Sequence, residues 1–285
     1  MKGMILAGGY GTRFLPASKT IPKEMFPLID KPAIDFIVEE MVESGIKDIL
    51  IVSSRRKKNL EDYFDREIEL EESLRGTDKY DKLMTAAQKD KDVKIHFIRQ
   101  QEMRGTGHAV LLGKGYLDGP FVLAFPDDLV LGTVPLSQQL INVYESTGKS
   151  VLAVKGFPNE DLSRYGVIIP SEEKQKDNII PVKGIVEKPQ AGTEPSHFAS
   201  IGRYLLTSDV FPLLEEGIKN IETKEFFLTD ALNLLGESNK LVACDFEGKR
   251  YDTGEPLGYL KTITEYALSR KDLKDSYLSF LRELI

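Results

Sequence analysis

Met4-Ile5-Leu6-Ala7-Gly8-Gly9-Tyr10-Gly11-Thr12-Arg13-Phe14-Leu15-Pro16 decides how this chain is read. An apolar run suited to a buried strand empties into small residues, and Arg13, Lys19 and Lys23 follow. Glycine lets backbone N–H groups approach a phosphate chain closely, and nearby cations neutralise its charge. The stretch reads as a polyphosphate-binding loop at the end of a strand. It is not a P-loop, which needs Gly-x-x-x-x-Gly-Lys-Ser/Thr. A dinucleotide fingerprint would need glycine where Phe14 stands. Pro16 and Pro22 also forbid the helix that both motifs start directly after their glycines.

Outward from this loop, the first half of the chain alternates strands and helices. Apolar runs at 2–7, 48–53, 94–98 and 121–126 read as strands, and amphipathic stretches at 33–44, 57–72 and 107–116 as helices. Ile34, Ile37, Val38, Met41 and Val42 fall at helical spacing and give one apolar face to lay on a sheet. The charged segment 66–92 reads as a surface insertion of two short helices. In the second half, 151–155, 166–169, 180–186 and 198–206 read as strands, partly antiparallel because short turns join them. Segment 171–178 is a solvated hairpin tip. Helices follow at 208–218 and 228–236, a strand at 240–246, and helices at 256–269 and 272–284. The expected fold class is α/β: a Rossmann-like mixed, mostly parallel sheet covered by helices, with a smaller antiparallel part and a C-terminal helical tail.

Composition narrows the function. The 38 Lys and Arg against 45 Asp and Glu leave a net charge of −7, which argues against nucleic acid as a partner. Residues 11–31 reverse the sign locally, with Arg13, Lys19, Lys23 and Lys31 against Glu24 and Asp30. A basic patch on an acidic protein suits a small anion. Cys244 is the single cysteine, so no intrachain disulfide forms, and its strand-like setting reads as a packed thiol. No signal-like leader and no apolar run of about 20 residues is seen, so a soluble cytoplasmic protein without a membrane partner is expected.

Several other segments carry chemistry. Phe121-Val122-Leu123-Ala124-Phe125-Pro126-Asp127-Asp128 is a buried strand ending in paired carboxylates, placed either to hold Mg²⁺ at the carboxyl end of a parallel strand or to cap a turn. Arg250-Tyr251-Asp252-Thr253-Gly254 offers a second carboxylate or a helix N-cap. Gln100 to Gly107 is a Gly-bracketed loop that could press flat on a nucleobase, with an amide suited to a pyrimidine edge. Glu187-Lys188-Pro189 closes a strand with a carboxylate and a cation, which on residue type alone is a surface turn. His108, at a helix start, reads as structural.

The glycine loop together with Ser18-Lys19 and Pro22-Lys23-Glu24-Met25 resembles the signature of sugar-1-phosphate nucleotidylyltransferases, most nearly the bacterial uridylyl-transferring type. Further matches run in order from residue 3 to about residue 268. The resemblance implies transfer of a uridylyl group from UTP to glucose 1-phosphate, giving UDP-glucose and pyrophosphate with Mg²⁺. It implies nucleotide contacts from Ala7, Gly8, Gly9, Gly11 and Glu24, and uracil contacts from Gln100 and Gly105. Arg13 and Lys23 would hold the β and γ phosphates. Asp127 and Asp252 would hold the metal, with Asp128 orienting the loop. Glu187 would contact glucose, Lys188 its phosphate, and Gly166 and Gly202 would line the sugar pocket. Residues 1–150 would form a nucleotide-binding half and 151–270 a sugar-phosphate half, together one catalytic domain, with a C-terminal helix at 271–285. That tail's apolar spacing over Tyr277–Leu284 allows it to pack on a second subunit, so a homo-oligomer, dimer or tetramer, is expected. Two departures stand out: Thr106 where the uridylyl type usually has Leu, and Phe226-Phe227 where Ile-Gln is usual. The rival readings are a sister enzyme using dTTP or CTP, and an inactive regulator that binds a nucleotide sugar.

Overall fold

Met4 and Ile5 are neighbours in the first strand yet lie in different cores, because successive strand side chains point to opposite faces. The same alternation sorts Leu50 from Ile51, Leu123 from Ala124 and Leu152 from Ala153. The computed structural model describes residues 1–158, 161–173, 175–219 and 225–284. Nine strands form one sheet in the order Lys94–Arg99, Asp48–Ser53, Lys2–Leu6, Phe121–Ala124, Phe198–Leu206, Ser150–Gly156, Leu241–Asp245, Ile179–Glu187, Gly166–Pro170. The first four are parallel. Beyond them directions mix: Phe198–Leu206 runs antiparallel to both neighbours, Ser150–Gly156 and Leu241–Asp245 pair in parallel, and the last two strands return antiparallel.

Helices Ala33–Glu43 and Leu136–Thr147 cover one face, with Ile34, Ile37, Met41, Leu136 and Leu140 buried against Ile5, Ile49 and Val122. Helices Thr106–Leu111, Val210–Lys219 and Leu228–Glu237 cover the other. Each large aliphatic side chain buried this way contributes about 1.5–3 kcal/mol. Cys244 is fully buried, and burial pushes its thiol up to about 12, as a packed rather than reactive cysteine requires.

The elements depart from expectation in four places. The 57–72 stretch is two helices, Lys58–Phe64 and Ile68–Leu74, separated by an extended Asp65. The 66–92 insertion holds three short helices, Tyr80–Leu83 and Ala86–Lys89 being the others. Helix Leu136–Thr147 and the antiparallel pair Asp128–Leu131 with Lys249–Asp252 occupy segments where no element was expected. The helix expected to reach residue 116 stops at Leu111, ahead of Gly113 and Gly115. Lys174, inside the expected hairpin tip, lies outside the described residues. No helix among the described residues is long and apolar enough to cross a membrane.

Candidate active site

The chain lays strands outward from Lys2–Leu6 to Asp48–Ser53 and Lys94–Arg99, then returns to place Phe121–Ala124 on the other side of the first strand. That reversal opens a crevice at the carboxyl ends of two adjacent parallel strands, where α/β sheets bind ligands. The glycine loop leaves one of these strands and Asp127 follows the other, with Ile5 paired to Ala124. As the prolines dictate, only single 3₁₀ turns follow the glycines, at 12–14, 17–19 and 23–25. Gly11 holds φ at +66°, a conformation that glycine adopts freely.

A cavity of about 320 Å³ opens there, lined by Gly8, Gly9, Lys23, Glu24, Gln100, Gly105 and Asp127 among others. The Lys23 ammonium donates to Asp127 Oδ2. Burial alone would lower Lys23, but Asp127 and Glu24 outweigh it and hold the ammonium above its ordinary value. Burial likewise opposes ionisation of Asp127, yet Lys23 and then Arg13 keep its carboxyl below the usual range. Glu24 is buried and gives both oxygens to Lys57 Nζ at 2.8 Å. Ala7 is fully buried beneath the loop, its N–H donated to Val52 O. Arg13 lies outside the lining of this cavity. It is exposed, and its Nη1 reaches Gly254 O at 3.4 Å.

The base loop is held from below. Gln100 is buried, and its Nε2 donates to Gly105 O and to His108 Nδ1, both at 3.1 Å. Its Oε1 faces Gly8, where a Cβ would come within 3.1 Å. Gly105 has φ +90°, and a Cβ there would lie 2.2 Å from Phe226 O. Phe226 fills the room that Gly105, Gly107 and Gly217 leave, and its N–H and C=O bond to Arg104 O and Gly107 N. Thr106 Oγ1 accepts the Leu228 N–H at 3.0 Å. The two departures from the family pattern thus make one joint between the base loop and residues 226–228.

A second cavity, of about 240 Å³, adjoins the first through Thr106, Phe125 and Phe227. Gly166, Glu187, Lys188 and Gly202 line it. Gly166 pairs with both Glu187 and Ser200 across strands, and a Cβ on Gly202 would strike the Phe125 ring at 3.0 Å, so both glycines keep the floor open. Glu187 Oε2 accepts the Thr229 hydroxyl at 3.1 Å. Lys188 sits at φ +50° with its N–H on Tyr165 O, and its side chain is 60% exposed. Its ammonium lies 4.0 Å from Glu187 Oε1, a loose and solvated pair that an anion could displace.

Asp128 lines the second cavity, but both of its oxygens are engaged by the protein. It accepts Arg250 Nε at 2.6 Å and Gly202 N at 3.1 Å, as a loop-orienting role requires. Its backbone carbonyl meets Arg203, which is fully buried on Glu40 at 2.8–3.0 Å. Asp252 is opposite Asp128 in register. A Cβ at Gly254 would lie 2.8 Å from Asp127 Oδ2 and 3.1 Å from Asp252 Oδ1, so both carboxylates converge on one place. No group of three or more His, Cys, Asp or Glu converges among the described residues, so any metal would complete its shell with other oxygens. That pair fits Mg²⁺, which takes one or two carboxylates together with phosphates and water.

Lys57 and Thr229 are the partners that sequence reasoning missed. Lys57 lies in the run Arg55-Arg56-Lys57-Lys58 just past the carboxyl end of Asp48–Ser53, a position that marks it for the crevice. Such a cleft can hold a nucleotide's charged tail beside a second polar ligand and bring both to one carboxylate, the task of an enzyme that transfers phosphate-bearing groups. The nucleotidyl transferase family model matches residues 2–268, and the chain belongs to that family. It is 43% identical over 287 residues to the UTP–glucose-1-phosphate uridylyltransferase of Bacillus subtilis (strain 168), covering 100% of this chain and 97% of that one. A UTP-bound UGPase from Acinetobacter baumannii superposes with TM-score 0.89 at 35% identity over 100% of this chain and 99% of that one. A UDP-glucose pyrophosphorylase complexed with UDP-glucose gives 0.82 at 37% over 95% and 100%.

Proposed function

We propose that the chain transfers a uridylyl group from UTP to glucose 1-phosphate, releasing pyrophosphate and UDP-glucose. One observation carries this reading: a cavity against the glycine loop that holds Asp127 adjoins, through Thr106, Phe125 and Phe227, a second cavity lined by Glu187 and Lys188. The full-length likeness to uridylyltransferases supports it. A phosphate oxygen of glucose 1-phosphate attacks the α-phosphorus in line, and the bond to pyrophosphate breaks. Such chemistry needs positioning and charge stabilisation rather than covalent help. Gly8, Gly9 and Gly11 let the loop backbone approach the phosphates, with Ala7 fixing its root. Arg13 and Lys23 stabilise the charge on the departing pyrophosphate. Glu24, pinned by Lys57, shapes the cavity wall. Gln100 and Gly105 seat the uracil. Gly166, Gly202 and Glu187 hold the glucose, and Lys188 aligns its phosphate. Asp127 and Asp252 would hold Mg²⁺, which when bound would neutralise phosphate oxygens as charge develops.

We assign residues 1–150 to nucleotide binding, 151–270 to the sugar phosphate, a cytoplasmic location, and a homo-oligomer, dimer or tetramer, joined through the final helix. Lys274–Leu284 has no buried residue and exposes Phe280 and Leu284, which a partner would cover. Pyrophosphate release measured across nucleoside triphosphates and sugar phosphates tests the reading. UTP with glucose 1-phosphate gives the highest kcat/KM. A higher value for dTTP or CTP overturns the base, and no turnover with any pair overturns the enzyme.

A further inference from the structure

Behind the glycine loop lies a recess of about 20 Å³, lined by Gly9, Tyr10, Ser18, Lys23, Arg56 and Lys57 among others. That volume admits a single oxygen atom or water. Ser18 Oγ is buried there and has no hydrogen-bond partner among the described residues. A buried hydroxyl without a partner is unfavourable and calls for an acceptor. Of the cations around the recess, Lys57 is tied to Glu24 and Lys23 to Asp127. Arg56 makes no ion pair among the described residues; its guanidinium rests 5.9 Å from the centre of the Tyr10 ring. Tyr10 in turn lines both this recess and the larger nucleotide cavity. Three cations line the recess and carboxylates pair with two of them, which leaves the Arg56 charge in surplus.

We propose that Arg56 and Ser18 form the seat of the terminal phosphate of the nucleoside triphosphate, and hence of the departing pyrophosphate. This rests on the uridylyl-transfer reading above. One terminal oxygen enters the recess and accepts the Ser18 hydroxyl. The Arg56 guanidinium, a fork of donors suited to phosphate, closes over the remaining oxygens. Tyr10 holds that guanidinium through its ring face and carries it on the glycine loop itself. Arg56 is therefore a residue that distinguishes triphosphate and pyrophosphate from the diphosphate sugar, since UDP-glucose has no distal phosphate to offer it.

Calorimetric titration of the full-length wild type and Arg56→Gln with UTP, UDP-glucose and inorganic pyrophosphate tests this. UTP and pyrophosphate weaken by about tenfold or more in the variant, as loss of a charge-assisted contact predicts, while UDP-glucose stays within about twofold. Arg56→Lys recovers much of the UTP affinity, and Ser18→Ala repeats the pattern with a smaller loss. Unchanged UTP affinity in Arg56→Gln overturns the proposal. An equal loss for UTP and UDP-glucose also overturns it, because Arg56 would then only be bracing the glycine loop. If the wild type binds no uridine nucleotide, the uridylyl reading fails, and pyrophosphate lost from Arg56→Gln alone still upholds the seat.

Discussion

Replacing Asp128 and Asp127 in turn by Asn separates a strut from a working carboxylate. Asp128 accepts two guanidinium contacts from Arg250, at 2.5 and 2.6 Å, and the Gly202 N–H at 3.1 Å. Its side chain is 16% exposed and that of Arg250 12%, so solvent screens the pair weakly. Hydrogen bonds to charged groups are worth about 1.5–3 kcal/mol each, and Asn keeps one acceptor oxygen of the two. The expected loss is about 2–4 kcal/mol, or a fall in Tm of about 3–7 °C for a chain this long. Among the described residues Asp127 has one side-chain partner, Lys23, and it is 25% exposed, so Asp127→Asn costs stability about 1 kcal/mol. Its turnover falls by about a hundredfold or more. Differential scanning calorimetry and steady-state kinetics on both variants decide the matter. A Tm of Asp128→Asn within about 1 °C of wild type, or an Asp127→Asn enzyme at near-normal turnover, refutes the division of labour. A double-mutant cycle with Arg250→Gln then isolates the pair itself.

Gly105→Ala forces a Cβ into the Phe226 carbonyl at a φ of +90°; the loop must move, and KM for the uridine nucleotide rises about tenfold or more with the sugar phosphate KM less affected. Lys188→Ala chiefly impairs use of glucose 1-phosphate, whereas Lys23→Ala chiefly impairs the nucleotide or pyrophosphate departure; identical kinetic profiles would contradict the two-cleft reading. Burial, and then Arg104, lower His108 below its ordinary 6.5, so the ring is neutral at neutral pH and Nδ1 accepts from Gln100. That support is complete above pH 6.5 and lost as pH falls through the lowered value, so nucleotide affinity declines only on the acid side; His108→Gln flattens this limb, and an unchanged limb counts against it.

The glycine loop and Asp127 were legible because each ends a continuous apolar run, and strand ends are where a parallel sheet binds its ligands. Glu187, Gly166 and Gly202 were not legible from residue type. They meet through antiparallel pairings between distant segments, and Glu-Lys-Pro alone looks like a surface turn, so only the family pattern marked them. Asp252 reaches Asp127 on two strands of four residues each, too short to show alternation. Lys57 was hidden in a basic run that reads as solvated, although burial lowers its ammonium against the pull of Glu24. Helix Leu136–Thr147 escaped notice because Ser137 and Gln139 dilute its buried face. Thr106 registered as an anomaly; its hydrogen bond to Leu228 could not be foreseen across 122 residues.

Because the nine strands bond to one another without a break from Lys94–Arg99 to Gly166–Pro170, the floor beneath both clefts is a single plate and offers no hinge. Arg203, fully buried, rivets that plate by holding Glu40 of the covering helix together with the carbonyls of Gly202 and Asp128. Enclosure of substrates therefore falls to the rim alone. Two pieces of that rim, around Gly105 and around Phe226, are clasped by the Arg104–Phe226–Gly107 backbone bonds and by Thr106 on Leu228. A shift of either piece carries the other along, so the wall over the base and the wall over the sugar travel as one.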